Sequence, residues 1–512
     1  MSTPPSPAPP AAWIGLAVLA LPTLLVSMDM TILYLATPSL SADLKPTGTE
    51  LLWISDIYGF LVAGALIPMG TLGDRIGRRR LLLWGALFFG LASALAAFAS
   101  SPAMLIAARA LLGVAGATLL PSTLALVRGL FRDPRQRGVA ISVWTTCFTL
   151  GGVVGPIVGG LLLEHFHWGS VFLIGVPVML ALLVLGPILL PECREPDRRR
   201  LDLVSATLVV ATVLATVWGL KQWAEWDSAL VPGAAITAGV VLGASFVRRQ
   251  TRLPDPLIPP GLLSNGAFTV ALAANTIALF AWVGASLLVA QHLQLVLGFS
   301  PLTAGLWTIP PAIACVLGCL GAPHLARCLS PAVVVCGGLG LAALGLALLA
   351  GLTHGFGLAA VVGAMMVLGL AVAMIVTLGT DLMLTVAPPD MAGAASAISE
   401  TGAEFGGSLG VAVMGSIAFA AYRGGLVLPP GIDLQEGAAA RNTLGGAFAL
   451  AAGLPDTVGS ALRAAAQEQF VGGLQRATGV GAAILVAVTL LFVWIVLRRS
   501  SAAITTEGGD TR

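Results

Sequence analysis

Apolar residues run along this chain in unbroken blocks, each closed by charge, proline or glycine, with none of the alternation of a half-buried strand. A block of about 20 such residues crosses the hydrocarbon core of a bilayer as one helix. Fourteen spanning helices are predicted, over 12–37, 50–71, 81–99, 102–126, 138–162, 168–190, 203–222, 229–247, 267–291, 302–322, 331–351, 356–386, 394–421 and 476–498. The lack of alternation excludes a β-barrel. Alanine and glycine are abundant inside the blocks because lipid does not drive helices together, so close backbone approach must.

Composition agrees with this reading. Of 512 residues, 57% are hydrophobic and 10% charged, against about 25% charged in soluble proteins. The chain is read as an all-α polytopic membrane protein. Its net charge of +2 says little, but the placement of the charges says more. Arginines crowd the turns after helices 2, 4, 6, 8 and 10 and the C-terminal tail, including Arg75–Arg80, Arg128–Arg137, Arg194–Arg200, Arg248–Arg252 and Arg327. The opposite turns hold Lys45, Lys221, Arg423, Arg441, Arg463 and Arg476. The positive-inside rule then places both termini in the cytoplasm. The opening MSTPPSPAPP has no basic region or cleavage site, so helix 1 is expected to serve as the insertion signal.

Expected organisation is a tail over 1–11, six helices over 12–190, a two-helix insertion with its flanking turns over 191–265, six helices over 266–498, and a tail over 499–512. The segment 422–475 is the long outer loop, read as a mobile cap or a contributor to a gate, with a short amphipathic helix over 457–473. Two six-helix bundles enclosing a midplane site are a known transporter plan. Cys315 and Cys319, one turn apart, are read as small packing residues rather than a metal or redox pair, and no metal site is expected.

Ionisable side chains at membrane depth are costly, about 2.5–3.5 kcal/mol each on insertion scales, and so mark function. The candidates are Asp29, Asp56, Arg109, Asp381, Glu400 and Glu404. Asp29, between Met28 and Met30, can hold either a proton or a cation, which is the simplest basis for exchange; the alternative is a structural aspartate near the interface. Asp56, near the start of helix 2, is expected to be wet. Glu400 and Glu404 share a face of helix 13, where their mutual repulsion suits a pair that releases a proton as a cation binds. Asp381 faces the cavity or reaches the interface. Arg109 must meet a buried acid or backbone carbonyls. Trp144, Phe148, Phe280, Trp282 and Trp307 are candidate cavity aromatics for cation–π contact with a lipophilic cation, whereas Trp53 and most other tryptophans are read as interface anchors.

Local motifs add a resemblance. GTLGDRIGRRR at 70–80, ARALLGVAGA around Arg109, the glycine run 151–160 and MDMTILYLATPSL from Met28 resemble signatures of the major facilitator superfamily, in its 14-helix drug:proton antiporter branch. The nearest likeness is to pumps for quaternary ammonium biocides. It implies the major facilitator fold, a role for Asp56 in proton or cation entry, and proton transfer involving Arg109. It implies a conformational latch at Gly70, Gly73, Asp74, Arg75, Gly77 and Arg78, although the arginines also set topology. It also implies an antiporter seal at Gly151, Gly155, Pro156, Gly159 and Gly160, where ordinary close packing would look the same. Helix 10, which carries an embedded acid in some relatives, has none over 302–322.

The function expected is proton-driven efflux of lipophilic cations from a bacterial cytoplasm or inner leaflet, by a monomer in the inner membrane with no nucleic-acid partner. No G-x-x-x-x-G-K-[ST] sequence is present, so the proton gradient, not ATP or a bound cofactor, is the expected drive. An exporter of an endogenous metabolite or self-made antibiotic fits the same residues if its cargo is basic. An integral membrane enzyme is the remote alternative, because the histidines (165, 167, 292, 324 and 354) are scattered over different turns.

Overall fold

A computed structural model describes residues 9–131, 133–194, 202–223, 230–253, 256–351, 357–388, 391–430, 432–433 and 437–507. The start of the Pro/Ser tail, Arg132 and Arg198–Arg200 of the basic turns, and the last five residues lie outside the described residues. Those described contain helices and no strand. Fourteen helices are long and apolar enough to cross a membrane: helix 1 (Pro10–Leu44), helix 2 (Gly48–Ile76), helix 3 (Arg78–Ala97), helix 4 (Pro102–Leu130), helix 5 (Arg135–His165), helix 6 (Ser170–Leu189), helix 7 (Leu203–Gln222), helix 8 (Leu230–Gln250), helix 9 (Gly266–Val296), helix 10 (Pro301–Cys328), helix 11 (Pro331–Ala350), helix 12 (Leu358–Val386), helix 13 (Gly393–Gly425) and helix 14 (Asp456–Trp494).

Local chemistry sets the helix starts. Thr47 and Glu50 form a reciprocal capping box at helix 2, Thr47 Oγ1 accepting from Glu50 N and Glu50 Oε2 accepting from Thr47 N. Ser101, Ser300 and Ser330 cap helices 4, 10 and 11, each followed by a proline that needs no hydrogen-bond acceptor at that position. Helix 10 is interrupted after Leu306, because Pro310 and Pro311 have no N–H to continue the ladder and helix resumes at Ile309.

The first six helices and the last six repeat one set of pairings. Helix 1 packs on 5, 2 on 4, 3 on 4 and 3 on 6; correspondingly 9 packs on 13, 10 on 12, 11 on 12 and 11 on 14. The two sets meet along two seams, helix 2 with 13 and helix 5 with the first turn of 10, which the same repeat relates. Helices 7 and 8 pack on each other, and helix 7 lies against both helix 2 and helix 13. Large side chains such as Ile188, Val184 and Leu490 stay exposed, as surfaces facing lipid require.

The segment 422–475 differs from the loop expected. Leu444–Ala452 folds as a short helix whose Leu444, Ala447 and Ala451 are buried in the C-terminal core. The amphipathic stretch is not a separate helix, since one helix runs unbroken from Asp456 to Glu507. Leu462, Ala466, Phe470 and Leu474, spaced four apart, are all buried, so the apolar stripe docks the segment before it enters the membrane. Gln467 Nε2 donates to the Leu295 carbonyl at 2.8 Å, and the Tyr422 hydroxyl donates to the Ala440 carbonyl at 2.7 Å. These contacts pack the described parts of the segment against the C-terminal bundle.

Candidate functional site

Three helices of the first bundle build the first charge cluster. Arg109 in helix 4 is 1% exposed. Its Nη1 donates to Asp29 Oδ2 of helix 1 at 2.5 Å, and its Nε to the Ile54 carbonyl of helix 2 at 3.2 Å. The Tyr58 ring lies 4.6 Å from its guanidinium carbon. Arg109 therefore meets both a partly buried acid and a backbone carbonyl, which is what its depth demands.

Asp56 departs from expectation. It is buried, not wet, and its Oδ1 accepts from Lys221 Nζ at 2.7 Å, with both side chains at zero exposure. Lys221 does not sit in an outer turn. It lies near the end of helix 7 and points into the protein, its ammonium 3.7 Å above the Trp53 ring. Trp53 is thus a platform for a buried cation rather than an interface anchor. A lysine at the edge of an apolar block looks the same in sequence whether it snorkels outward or turns inward, because the difference lies on another helix.

Glu404 is buried and Glu400 half-buried on the face of helix 13 that meets helix 2. Gly59 of helix 2 opens the way: a Cβ there would lie 3.7 Å from Glu404 Oε2. Among the described residues, no cation lies within ion-pair distance of either glutamate. Tyr34 of helix 1 packs against the cores of both bundles. Tyr34 carried no signal in the sequence beyond being a hydroxyl in an apolar block. Asp381 stays out of the cluster, exposed near the Pro388 end of helix 12.

The glycine run of helix 5 divides by face. Gly155 and Gly159 receive helix 1, where added methyls would meet Met28 Cα at 3.2 Å and Ile32 at 2.9 Å. Gly160 instead receives helix 10 of the other bundle; a Cβ there would fall 2.6 Å from Leu302 Cα. Pro156 touches the same turn at Gly305. Gly160 and Pro156 therefore close one end of a seam between the bundles. Towards its arginine-rich end, helix 5 leaves helix 10 and presents Arg135, Gly138, Val139, Ser142, Val143, Thr146 and Cys147 to an open cleft of about 590 Å³. Of these seven the sequence marked Arg135 only as a topology charge and Cys147 only as a packing cysteine, although Ser142 and Thr146 at a spacing of four were the available signal.

The loop at Gly70–Arg80 turns on Gly77, whose φ of +110° suits glycine. Asp74 pairs with Arg78 one turn on. Arg78 N donates to the Cys193 carbonyl, Arg79 N to Glu192 Oε1 and Arg79 Nη1 to the Leu190 carbonyl. These contacts tie helices 2 and 3 to the end of helix 6 within the first bundle. Gly73 seats the Arg78 side chain, Gly70 stands in open space and Arg75 is exposed.

Of the aromatics, Trp144 and Phe148 stack with centroids 6.3 Å apart, and Trp144 Nε1 donates to Thr123 Oγ1. Trp282 is half-buried against the C-terminal core, and Trp307 is exposed at the break in helix 10. Phe280, at 3% exposure, is buried in the C-terminal core, its backbone carbonyl set against Gly410 of helix 13.

The sequence profile of the Major Facilitator Superfamily matches residues 19–411. The chain belongs to that superfamily. It is 44% identical to the multidrug efflux pump LfrA of Mycolicibacterium smegmatis, over 96% of this chain and 97% of that protein. It is 36% identical to the methyl viologen resistance protein SmvA of Salmonella typhimurium, over 90% and 93%. The tetracenomycin C resistance and export protein of Streptomyces glaucescens is 31% identical, over 93% and 90%. Among solved structures, a bacterial homologue of the human lysosomal transporter Spinster superposes with a TM-score of 0.69 at 18% identity, covering 95% of this chain and 98% of that one, which shows the fold. The protein is a multi-pass membrane transporter and not an enzyme.

Proposed function

We propose that this transporter exports lipophilic cationic drugs and biocides, including quaternary ammonium compounds, in exchange for protons across a bacterial inner membrane. The observation that carries the reading is the unequal pairing of the acids inside its spanning helices. Asp29 and Asp56 each hold a cation supplied by the protein, Arg109 and Lys221. Glu404 and its neighbour Glu400 hold none among the described residues. A cationic cargo entering between helices 2 and 13 finds its counter-charge at these glutamates, whereas Asp29 and Asp56 are poised to exchange protons. Cargo and proton then compete through the charges carried by helices 2 and 13 at their seam.

The names of the relatives support a drug cargo, and the arginine-rich turns support cytoplasmic termini. On that orientation the cleft at helix 5 opens to the cytoplasm, and Gly160 against Leu302 seals the outer end. No bound cofactor enters this scheme: the proton gradient supplies the drive and a monomer suffices. A second reading, export of a self-made antibiotic, is favoured by the likeness to the tetracenomycin C protein and uses the same glutamates for a basic cargo.

The test is ethidium efflux from energised cells expressing wild type or Glu404→Gln at matched membrane abundance. The reading expects efflux to fall about tenfold or more, as for loss of a buried charge partner. Wild-type efflux by Glu404→Gln together with Glu400→Gln would remove the glutamates from the cargo site.

A further inference from the structure

Helix 7 belongs to neither repeat of six, yet it is fastened to both bundles. Phe60 of helix 2, Val217 of helix 7 and Ala412 of helix 13 form one buried cluster, with Trp53, Val213 and Phe405 packed around it. Gly64 of helix 2 seats Val210, where a Cβ would lie 2.6 Å from Val210 Cγ2. An apolar helix needs nothing more to pack here. The Lys221–Asp56 pair, at zero exposure, is a poor means of stabilisation compared with apolar residues of the same size. The pair is also incompletely satisfied, since Asp56 Oδ2 is buried and has no partner among the described residues. Lys221 borders a cavity of about 20 Å³, room for about one water, lined by Thr49, Leu52, Ser416, Arg423 and Asn442. Ser416 Oγ is likewise without a partner among the described residues.

We propose that Lys221 is a positioning residue of the transport cycle: its ion pair with Asp56 clasps the inserted helix pair across the seam between the bundles, and a proton arriving on Asp56 opens the clasp. The inference rests on the reading of Asp56 as a proton site. Alternating access requires helices 2 and 13 to move past each other. Helix 7 touches both and would resist that motion unless its tie were switchable. The charges around the pair set the direction. Helix 4 contributes Arg109, helix 1 contributes Tyr34, and helix 13 contributes, beside the small cavity, Arg423. Helix 8, packed on helix 7, carries its Arg248 and Arg249 at the opposite end. When a proton neutralises Asp56, the Lys221 ammonium keeps its own proton and loses its anion. It is left with the Trp53 ring and a cavity shared with Arg423, a like charge, so helix 7 is released from the seam. Loss of the proton restores the anion and redocks it.

The test uses purified full-length protein in proteoliposomes with ethidium as the probe. Two rates are read: concentration driven by an imposed pH gradient, and downhill equilibration without one, each across a pH series. For Lys221→Met the clasp expects gradient-driven concentration to fall about tenfold, downhill equilibration to stay within about twofold, and the pH dependence of the downhill rate to flatten. Lys221→Arg should restore coupling. The double variant Asp56→Asn/Lys221→Met, which leaves no lone buried charge, should equilibrate ethidium downhill yet fail to concentrate it, and it carries the test if Lys221→Met alone does not fold. Wild-type concentration by Lys221→Met or by the double variant would overturn the clasp, as would equal loss of both rates, which marks Lys221 as merely structural. If Lys221→Met pumps normally while Asp56→Asn does not, the clasp falls and Asp56 stands as a proton site. Normal pumping by Asp56→Asn overturns both.

Discussion

Replacing Asp29 by Asn tests the charge cluster most directly, because it strands Arg109 at 1% exposure. The pair meets at 2.5 Å between Nη1 and Oδ2. With charge centres about 4 Å apart and an effective dielectric of about 20, the lost attraction is about 4 kcal/mol. Removing one member of a buried pair costs about 3–5 kcal/mol in soluble proteins. Part of the guanidinium's environment survives, since Nε still donates to the Ile54 carbonyl and the cation still lies over Tyr58. A desolvated cation–π contact retains about 2 kcal/mol, so the lower end, about 3 kcal/mol, is expected. Reversible unfolding in mixed micelles, followed by tryptophan fluorescence, measures it. Arg109→Gln in the same background removes the stranded charge, and the double variant should recover at least half of the loss. Efflux should be lost in both single and double variants, because the proton-exchanging acid is absent from each. A single variant within about 0.5 kcal/mol of wild type, or a double variant whose loss is the sum of the two singles, would refute the buried-pair reasoning.

Three further outcomes follow from other parts of the molecule. Gly160→Ala places a Cβ 2.6 Å from the Leu302 backbone, so the seam between helices 5 and 10 cannot close; ethidium efflux should drop about tenfold at normal membrane abundance, and unchanged efflux would show that this contact does not gate. If more than one proton exchanges for each monovalent cation, the second adds about 2.3 kcal/mol per 100 mV, roughly a fifty-fold gradient, so efflux from proteoliposomes should respond to an imposed voltage; strict voltage independence refutes multi-proton exchange. At the base of the inserted pair, burial works to raise the Asp202 carboxyl, but hydrogen bonds from Ser205 and Arg249 outweigh it and hold it below the usual carboxylate range. Because its folded value is depressed, its contribution is complete above the unfolded carboxylate value, about 3.9, and is lost as pH falls through the lower folded value. The stability advantage of wild type over Asp202→Asn should therefore shrink as pH falls below about 3.9 and vanish once pH is below the depressed folded value, and an advantage that does not change with pH below about 3.9 would refute the assignment.

The helices were legible because their determinants are local. Block length is set within each segment, and the fourteen spans appear close to where the pattern puts them; the Thr47–Glu50 box and the serine–proline starts that fix helix ends are also local, though the block pattern does not single them out. In segment 422–475 the helical stretch over 457–473 was legible but its docking and its continuity with the last span were not, since the stripe from Leu462 to Leu474 needed a partner surface that only the folded core provides. The site follows the same division. Depth alone was enough to select Asp29, Asp56, Arg109 and Glu404, because a charge in an apolar block is improbable without a role. Depth could not say which acid meets which base, as Lys221 and Asp56 stand 165 residues apart and Arg109 and Asp29 stand 80 apart. Nor could it separate Asp381, near a helix end and exposed, from Glu404, near the middle and buried. Pairing is what converts the set into a mechanism. Two of the acids already own a cation, so a positively charged cargo meets an unpaired carboxyl only at the remaining glutamates. That makes the helix 2–13 seam, where Glu404, Asp56 and the inserted helix 7 all meet, the place at which cargo and proton must sense each other.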